Sequence, residues 1–342
     1  MIELALIVII PFLVTLAALP LARIFGKRMG AWDSPDELGM HNTPVARSGG
    51  IAILLGIAVA FELLKTLPGA DSGGRQGAAI AIGTLAFFFV GILDDLHEIK
   101  PYVKTVGLIG AALLFTLLSP QFAITGYERL DFILANVILI GGANALNFMD
   151  GMDGLASGMT VIAALGFFVL AQFAGQRLPG NWALIVAAAS GAFWIVNKPP
   201  AKIFMGDCGS LALGASLAGL LLISGSKSPK LFMAGLVILS PLILDTGLAI
   251  VRRAVLRRDI FTGDRRHIYD LLYARNHSVW QTDIQMYVLG LAFALIAVAS
   301  LFVPLWITIS VVVSLYTALI WRFARLDMFA SSSLDEDEKM RR

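Results

Sequence analysis

Cysteine is almost absent from this sequence, and charged residues are scarce. The single cysteine, Cys208, cannot form an intramolecular disulfide, so a disulfide-stapled domain is excluded. Charged residues make up 15% of the 342 residues, whereas a soluble domain has about 25%. The formal net charge of +2 is too small to indicate a nucleic-acid partner, and we expect none.

The sequence is instead rich in long apolar runs. Hydrophobic residues make up 58% of the chain, and they form runs of about 20 residues, the length at which a helix crosses the hydrocarbon core. A spanning segment must satisfy its own backbone hydrogen bonds, so these runs predict helices. The predicted fold class is an all-α integral membrane protein with 10–11 transmembrane helices. The candidate spans lie near residues 2–22, 49–67, 77–93, 104–118, 132–149, 155–174, 182–197, 209–224, 231–250, 285–303 and 305–323.

The basic residues predict how these spans are oriented. Of the 26 Lys and Arg residues, six fall on one side of the membrane and 20 on the other. Because cytoplasmic loops carry the excess of Lys and Arg, we expect the N-terminus outside and the C-terminus inside. Residues 1–325 are predicted to form one membrane domain, and residues 326–342 a charged, disordered cytoplasmic tail.

The first two inner loops carry groups suited to anions and cations. Arg47 could pair with phosphate, and Gly49-Gly50 at a span entrance would let backbone N–H groups approach a ligand. Asp94-Asp95 ends the third span, and Lys104 follows nine residues after the pair. Adjacent carboxylates at a membrane boundary repel each other, which a metal ion or cationic group would relieve. The alternatives are a basic turn and a helix end that dips into water.

The third and fourth inner loops are richest in oxygen ligands. Asn147, Asp150 and Asp153 lie within seven residues at the end of the fifth span. Asp207 adds a carboxylate before the eighth span, and Phe204 offers a flat surface for a base. Amide and carboxylate oxygens suit Mg²⁺ or Mn²⁺ rather than zinc. The alternatives are a turn rich in Asp and Gly, and a helix cap.

The fifth inner loop is basic and includes Arg265, Arg266 and His267. It could close as an electropositive lid over a diphosphate, or it could serve as an orientation signal that contacts anionic lipid. Together the five loops place ligands for a divalent cation and cations for phosphates at one membrane surface. That combination fits phosphoryl transfer between a water-soluble nucleotide and a lipid.

The sequence resembles the polyprenyl-phosphate N-acetylhexosamine-1-phosphate transferases over about residues 1–325. Five motifs occur in the family's order: His41…Pro44…Arg47-x-Gly49-Gly50; Asp94-Asp95 with Lys104; Asn144-x-x-Asn147-x-x-Asp150-Gly151-x-Asp153-Gly154-Leu155; Phe204-x-Gly206-Asp207-x-Gly209-Ser210; and Asp264-Arg265-Arg266-His267. The resemblance implies that undecaprenyl phosphate attacks the β-phosphate of a UDP-N-acetylated sugar. The products would be undecaprenyl-diphospho-sugar and UMP, with Mg²⁺ or Mn²⁺ required. It also implies the bacterial inner membrane as the location, with membrane lipid as a partner, and leaves a homodimer open.

The resemblance also implies roles for residues around the phosphates. Asn147 and Asp207 correspond to metal ligands in the family. Asp94 and Asp95 match its paired acids, one of which is proposed to act on or position the lipid phosphate. Lys104 matches a phosphate-handling position.

Further roles follow for the nucleotide and the sugar. Phe204 is similar to the aromatic residue that stacks on uracil, and Asp153 to the residue that bonds the edge of that base. Asp150 would lie towards the sugar. Arg47 matches a phosphate-handling position, and His267 matches the first histidine of the lid motif.

The chain departs from the family pattern in the lid. The family motif commonly reads His-x-His, whereas here Tyr269 follows His267. This favours the branch that initiates O-antigen, lipopolysaccharide or related glycans, with peptidoglycan intermediate synthesis as the alternative. A secondary transporter is disfavoured because the acids cluster at span ends and no internal repeat is visible.

Overall fold

The computed structural model describes residues 2–33, 45–66, 71–119, 122–257 and 266–326. Almost all of these residues are helical, which confirms the predicted all-α membrane fold. The helices are α1 Ile2–Met29, α2 Gly49–Leu64, α3 Gly74–His97, α4 Pro101–Leu118, α5 Glu128–Met149, α6 Leu155–Phe173, α7 Arg177–Asn197, α8 Gly206–Gly225, α9 Pro229–Ile238, α10 Ser240–Val255, α11 Ile268–Asn276, α12 Val279–Ala299 and α13 Leu305–Ala324. A short 3₁₀ turn, Ser300–Phe302, follows α12.

The structure does not confirm the count of eleven within the 10–11 membrane spans that the apolar runs predicted. Among the described residues, nine helices are long and apolar enough to cross a membrane, or ten if α9 and α10 count as one bent span. The remaining candidate, α2, has only 16 residues, or about 24 Å of helix against a core of about 30 Å. The structure therefore supports a multi-pass membrane protein without confirming eleven spans.

The span predicted at 231–250 is a broken helix rather than a straight one. The axis turns by 68° between α9 and α10. Pro241 lies in the first turn of α10, where its missing N–H cannot continue the hydrogen-bond ladder of α9. After the break, α10 buries Asp245 and Arg252 while Val251 on another face is exposed. Charged groups inside and apolar groups outside are the arrangement that a lipid environment favours.

Helix α8 is the centre of the bundle, and α2, α3 and α5 pack around it. All of its residues except Asp207 are buried. Small residues bring the backbones close: a Cβ added to Gly214 would lie 2.4 Å from the carbonyl oxygen of Gly142 on α5. A Cβ added to Gly91 on α3 would lie 2.3 Å from the carbonyl oxygen of Asp207. The end of α3 and the start of α8 therefore meet at one membrane edge.

A small antiparallel pair of strands leads into this edge. Strand β1 (Trp32–Asp33) pairs with β2 (Val45–Ala46), and Arg47 then forms a parallel bridge with Phe204. The amide of Phe204 donates to the carbonyl oxygen of Ala46 at 2.9 Å. This pairing fixes the segment before α8 against the segment before α2.

Candidate active site

Four helices bring three oxygen ligands around one ammonium group. The Nζ atom of Lys104, on α4, lies 2.9 Å from Asp94 Oδ2 on α3 and 3.4 Å from Asn147 Oδ1 on α5. It also forms an ion pair with Asp207 Oδ2 on α8. The three acid and amine side chains are each less than a fifth exposed. Residues far apart in sequence thus form one charged centre, which we call the Lys104 cluster: Asp94, Lys104, Asn147 and Asp207.

The amide of Asn147 is oriented by two further contacts. Its Nδ2 donates to Asp207 Oδ1 at 3.0 Å and to the hydroxyl of Ser210 at 2.9 Å. Its Oδ1 therefore faces Lys104 with the carboxylate oxygens. No set of three His, Cys, Asp or Glu side chains in the described ranges is placed to hold a metal. The Lys104 cluster instead supplies two carboxylates and an amide oxygen around a cation, a donor set that fits Mg²⁺ or Mn²⁺.

The two adjacent acids at the end of α3 have different hydrogen-bond partners and different roles. Both oxygens of Asp95 accept backbone N–H groups, from Asp207 and Cys208, each at 2.9 Å. A carboxylate there satisfies unpaired donors at the start of α8 and complements its dipole. Asp94 instead faces Lys104 and accepts from the amide of Ile99 at 3.0 Å. Asp95 thus holds α8, and Asp94 is the acid of the pair that directly contacts the Lys104 cluster.

A cavity of about 480 Å³ opens beside the Lys104 cluster. Its lining includes Arg47, Asp94, Asp95 and Asp207, together with residues 96–99. This volume is within the range of about 300–1,000 Å³ that is typical of small-molecule sites. The guanidinium of Arg47 therefore shares the cavity with four carboxylates, including that of Glu98, and such a mixture of charges could hold a metal-bound phosphate.

The prediction that Gly49 and Gly50 present N–H groups to a ligand is wrong. The amide of Gly49 donates to the carbonyl oxygen of Phe204, and that of Gly50 to Met205, each at 2.9 Å. A Cβ on Gly50 would lie 2.3 Å from the nitrogen of Gly209. The glycine pair is therefore needed for close packing of α2 against the start of α8, and its donors are already used.

The turn between α5 and α6 carries the acids predicted for the sugar and the base. Asp150 lies at the end of α5, where burial raises the pKa of its carboxyl well above the usual range and the charge of Asp207 acts in the same direction. Asp153 Oδ2 accepts from the amide of Ala201 at 2.8 Å. Phe204, three residues beyond Ala201, is half-buried. The structure thus places Asp150 near the Lys104 cluster and ties Asp153 to the loop that leads to Phe204.

The fifth inner loop contributes a buried histidine. Nδ1 of His267 lies 2.7 Å from Asp245 Oδ2, and Asp245 Oδ1 accepts from the amide of Ile268 at 2.6 Å. The imidazole stacks on Tyr269 at 5.5 Å between ring centres and lies 5.9 Å from Phe148. An acid that engages Nδ1 fixes the ring, so a contact of this imidazole with substrate would use Nε2.

The rest of the predicted lid is only partly described. Arg266 is half-buried and directly precedes His267, while Arg265 lies outside the described residues. Tyr269 is buried, and its hydroxyl donates to the carbonyl oxygen of Phe148 at 2.9 Å. Tyr269 therefore packs the start of α11 against the end of α5.

Asp245 is a site residue that the sequence reasoning missed. It lies within the span predicted at 231–250, and an acid inside an apolar run is a functional signal in itself. The apolar run predicts one straight helix, and a straight helix does not turn Asp245 towards the fifth inner loop. The break before α10 is what turns Asp245 inward to His267.

We expect Asp245→Asn and His267→Ala to lower kcat by similar factors, about 10- to 150-fold. The two side chains act as one unit, so the double variant should be little worse than either single variant. Steady-state kinetics on the four proteins measures this. The control is Arg275→Ala, an exposed cation at the end of α11. Additive losses, or an equal loss in the control, would mean a diffuse basic surface instead of an oriented histidine.

Comparison of the sequence with known proteins identifies one family. The pattern of glycosyl transferase family 4 matches residues 78–225, which include all four residues of the Lys104 cluster. A probable undecaprenyl-phosphate N-acetylglucosaminyl 1-phosphate transferase of Bacillus subtilis (strain 168) is 31% identical over 323 residues, 91% of this chain and 89% of the relative. A decaprenyl-phosphate N-acetylglucosaminephosphotransferase of Mycobacterium tuberculosis (strain CDC 1551 / Oshkosh) is 31% identical, with 81% and 77% covered. A phospho-N-acetylmuramoyl-pentapeptide-transferase of Desulforamulus reducens is 33% identical, with 68% and 77% covered. The chain therefore belongs to glycosyl transferase family 4, among the polyprenyl-phosphate sugar-1-phosphate transferases that its motifs predicted.

Proposed function

We propose that this protein transfers a sugar-1-phosphate from a UDP-N-acetylated sugar to undecaprenyl phosphate, giving undecaprenyl-diphospho-sugar and UMP. The observation that carries the proposal is the Lys104 cluster, because it places a cation among three hard oxygen ligands. Arg47 shares the adjoining cavity with two of those acids. Such a mixture of cations and carboxylates could hold a diphosphate and a lipid phosphate, and a divalent ion held there would supply charge neutralisation.

Asp207 and Asn147 are the residues that would hold Mg²⁺, or Mn²⁺, with Asp94 beside them. Bound there, the ion would neutralise charge on the phosphate oxygens of the donor. Lys104 and Arg47 would hold the same phosphates and keep the attacking and leaving oxygens in line. An oxygen of the lipid phosphate forms a bond to the β-phosphorus of the donor. The bond between that phosphorus and the oxygen bridging to the α-phosphate breaks, and UMP leaves with that oxygen.

The relatives support a proposal for the sugar and for the pathway. Two of the relatives named above are N-acetylglucosamine enzymes, which favours UDP-N-acetylglucosamine as the donor. The product would begin a bacterial cell-surface glycan such as O-antigen or a related polymer. The pentapeptide-transferase relative supports peptidoglycan intermediate synthesis as the second candidate. Activity with the muramoyl-pentapeptide donor alone would decide for that candidate.

We infer that the site faces the cytoplasm of a bacterial inner membrane. The loops that carry it hold most of the Lys and Arg residues, which cytoplasmic loops favour. A reporter enzyme fused after Ser226 should behave as periplasmic, and one fused after Gly263 as cytoplasmic. The reverse pattern would overturn the orientation.

UMP release by the purified protein tests the function. In detergent with undecaprenyl phosphate and Mg²⁺, we expect UMP from UDP-N-acetylglucosamine, no UMP when the lipid is omitted, and no UMP in excess EDTA. UDP-N-acetylgalactosamine and UDP-muramoyl-pentapeptide serve as the comparison donors. UMP release that does not need the lipid would indicate a hydrolase, and activity in excess EDTA would rule out the proposed metal.

A further inference from the structure

The turn between α5 and α6 is held from two sides at Gly154. The N–H of Gly154 donates to Asn197 Oδ1, at the end of α7, at 3.1 Å. Its carbonyl oxygen accepts from the hydroxyl of Tyr287, on α12, at 2.6 Å. Gly154 has a left-handed backbone conformation, with a φ of +79°, which favours glycine. Because Asp153 directly precedes Gly154, these contacts also determine where Asp153 lies.

The hydroxyl of Tyr287 is oriented for its contact with the turn. It accepts from the indole nitrogen of Trp194, on α7, at 3.0 Å. That bond occupies a lone pair of the phenolic oxygen and leaves the hydroxyl proton for the carbonyl oxygen of Gly154. The proposed chemistry uses neither aromatic residue. A phenylalanine at position 287 would keep the ring and remove both hydrogen bonds.

The ring of Tyr287 also packs closely against the start of α6. A Cβ added to Gly158, in the first turn of α6, would lie 2.4 Å from Cζ and Oη of Tyr287 and 2.5 Å from Cε1. Atoms cannot approach this closely in a packed interior, so the ring would have to move. The hydrogen bond to Gly154 therefore depends on the absence of a side chain at position 158.

The same turn is joined to the loop that leads to Phe204. Asp153 accepts a backbone N–H of that loop at 2.8 Å. Asn197, which holds the N–H of Gly154, also donates to the carbonyl oxygen of Ile203 at 3.1 Å. The contacts at Gly154 thus fix Asp153 relative to Phe204, the two residues that the proposed function assigns to the base of the donor.

We propose that Tyr287 is a positioning residue for nucleotide binding: its hydroxyl fixes Gly154 and so holds Asp153 in place for the base. This rests on the proposed function, in which Asp153 bonds the edge of uracil. Without the hydroxyl, the turn samples other placements, and only the fraction of molecules with the correct placement binds the nucleotide well. The phosphate contacts of the bound donor at the Lys104 cluster are unchanged, so the loss falls on affinity and not on kcat.

The affinity of Tyr287→Phe for UMP tests this role. Calorimetric titration of the full-length protein in detergent, with Mg²⁺, should show a Kd about three- to tenfold higher than that of the unaltered protein, the size expected for one neutral hydrogen bond. The KM for UDP-N-acetylglucosamine should rise by a similar factor, and kcat should stay within about twofold. The control is Tyr316→Phe, which removes a tyrosine hydroxyl from α13, where the ring packs edge-on against Phe293. It should change none of these three quantities.

Gly158→Ala perturbs the same contact and leaves the hydroxyl in place. Its methyl group meets the ring of Tyr287, so the Kd for UMP should rise about threefold or more. Gly191→Ala, on α7, is the matched control, because its Cβ would meet only Val161, at 3.8 Å. This control should keep the Kd for UMP within about twofold.

The outcomes separate this inference from the proposed function. Weaker UMP binding in both Tyr287→Phe and Gly158→Ala, with kcat and both controls unchanged, supports the inference. An unchanged Kd in Tyr287→Phe, with only the Tm lowered, makes Tyr287 a packing residue and overturns the inference, and so does a fall in kcat with an unchanged KM. If Gly158→Ala does not fold, Tyr287→Phe alone decides. If the unaltered protein binds no UMP, the uridine donor of the proposed function is wrong, and the inference fails with it.

Discussion

Asp207→Asn should lower kcat about a thousandfold and leave the protein folded. Asp207 contributes one oxygen to Lys104 and another to Asn147 Nδ2, so it links the charge of the cluster to the orientation of the amide. The Asn substitution removes the negative charge of a ligand of the proposed metal. The metal's stabilisation of transition-state charge is worth several kcal/mol, and a loss of about 4 kcal/mol corresponds to a thousandfold fall in rate. Measurement of kcat with undecaprenyl phosphate and UDP-N-acetylglucosamine gives the factor.

Asp131→Asn is the matched control for this experiment. It makes the same isosteric change in another buried acid, at the opposite end of α5, where the carboxylate accepts from Thr125 and Gly126 in the preceding loop. The control should lose stability and keep kcat within about threefold, because it removes loop contacts at the end of α5 that is opposite to the Lys104 cluster. A thousandfold loss in Asp131→Asn, or a loss below tenfold in Asp207→Asn, would remove Asp207 from the active centre.

Lys104→Met should have the second largest effect, and it should appear in stability as well as in rate. Removing the ammonium leaves Asp94 and Asp207 facing each other without a cation. Breaking a poorly exposed ion pair in this way should cost about 3 kcal/mol of unfolding free energy in EDTA. Turnover should fall by about 100-fold, since a phosphate contact is lost as well.

Added Mn²⁺ shows whether Lys104 and a metal ion use the same oxygen atoms. The ammonium lies within reach of all three oxygens of the cluster, so the lysine and a bound divalent ion repel each other. We expect Mn²⁺ to raise the midpoint of thermal unfolding more in Lys104→Met than in the unaltered protein. Lys100→Met, an exposed lysine at the start of α4, should change neither stability nor the response to Mn²⁺. Equal Mn²⁺ responses in Lys104→Met and Lys100→Met would contradict a shared site.

Sequence reasoning predicted the features that depend on local pattern. The apolar runs predict the membrane fold. Asp94, Asn147 and Asp207 are predicted as site residues because acids and amides gathered at the ends of membrane spans are more than a turn or a helix cap requires. The structure brings these three together around Lys104. Their convergence could be expected because helix ends at one membrane face are close in space even when they are distant in sequence.

Features that depend on packing between helices could not be read from the sequence. Asp94 and Asp95 are chemically identical and adjacent, and only the position of α8 shows that Asp95 caps a helix. The backbone N–H of Gly49 donates to the carbonyl oxygen of Phe204, more than 150 residues away in the sequence. Asp245 lies inside a predicted span, and only the bend before α10 shows that it faces His267.

Identification of both products in one reaction tests the central claim most directly. The purified protein would be incubated with undecaprenyl phosphate, UDP-N-acetylglucosamine and Mg²⁺, with mass spectrometry of the lipid and chromatography of the nucleotide. Transfer of a sugar-1-phosphate predicts undecaprenyl-diphospho-N-acetylglucosamine and UMP in equal amounts, with no UDP. Undecaprenyl-phospho-N-acetylglucosamine together with UDP would mean that the sugar alone is transferred, and it would contradict the proposed attack on the β-phosphorus.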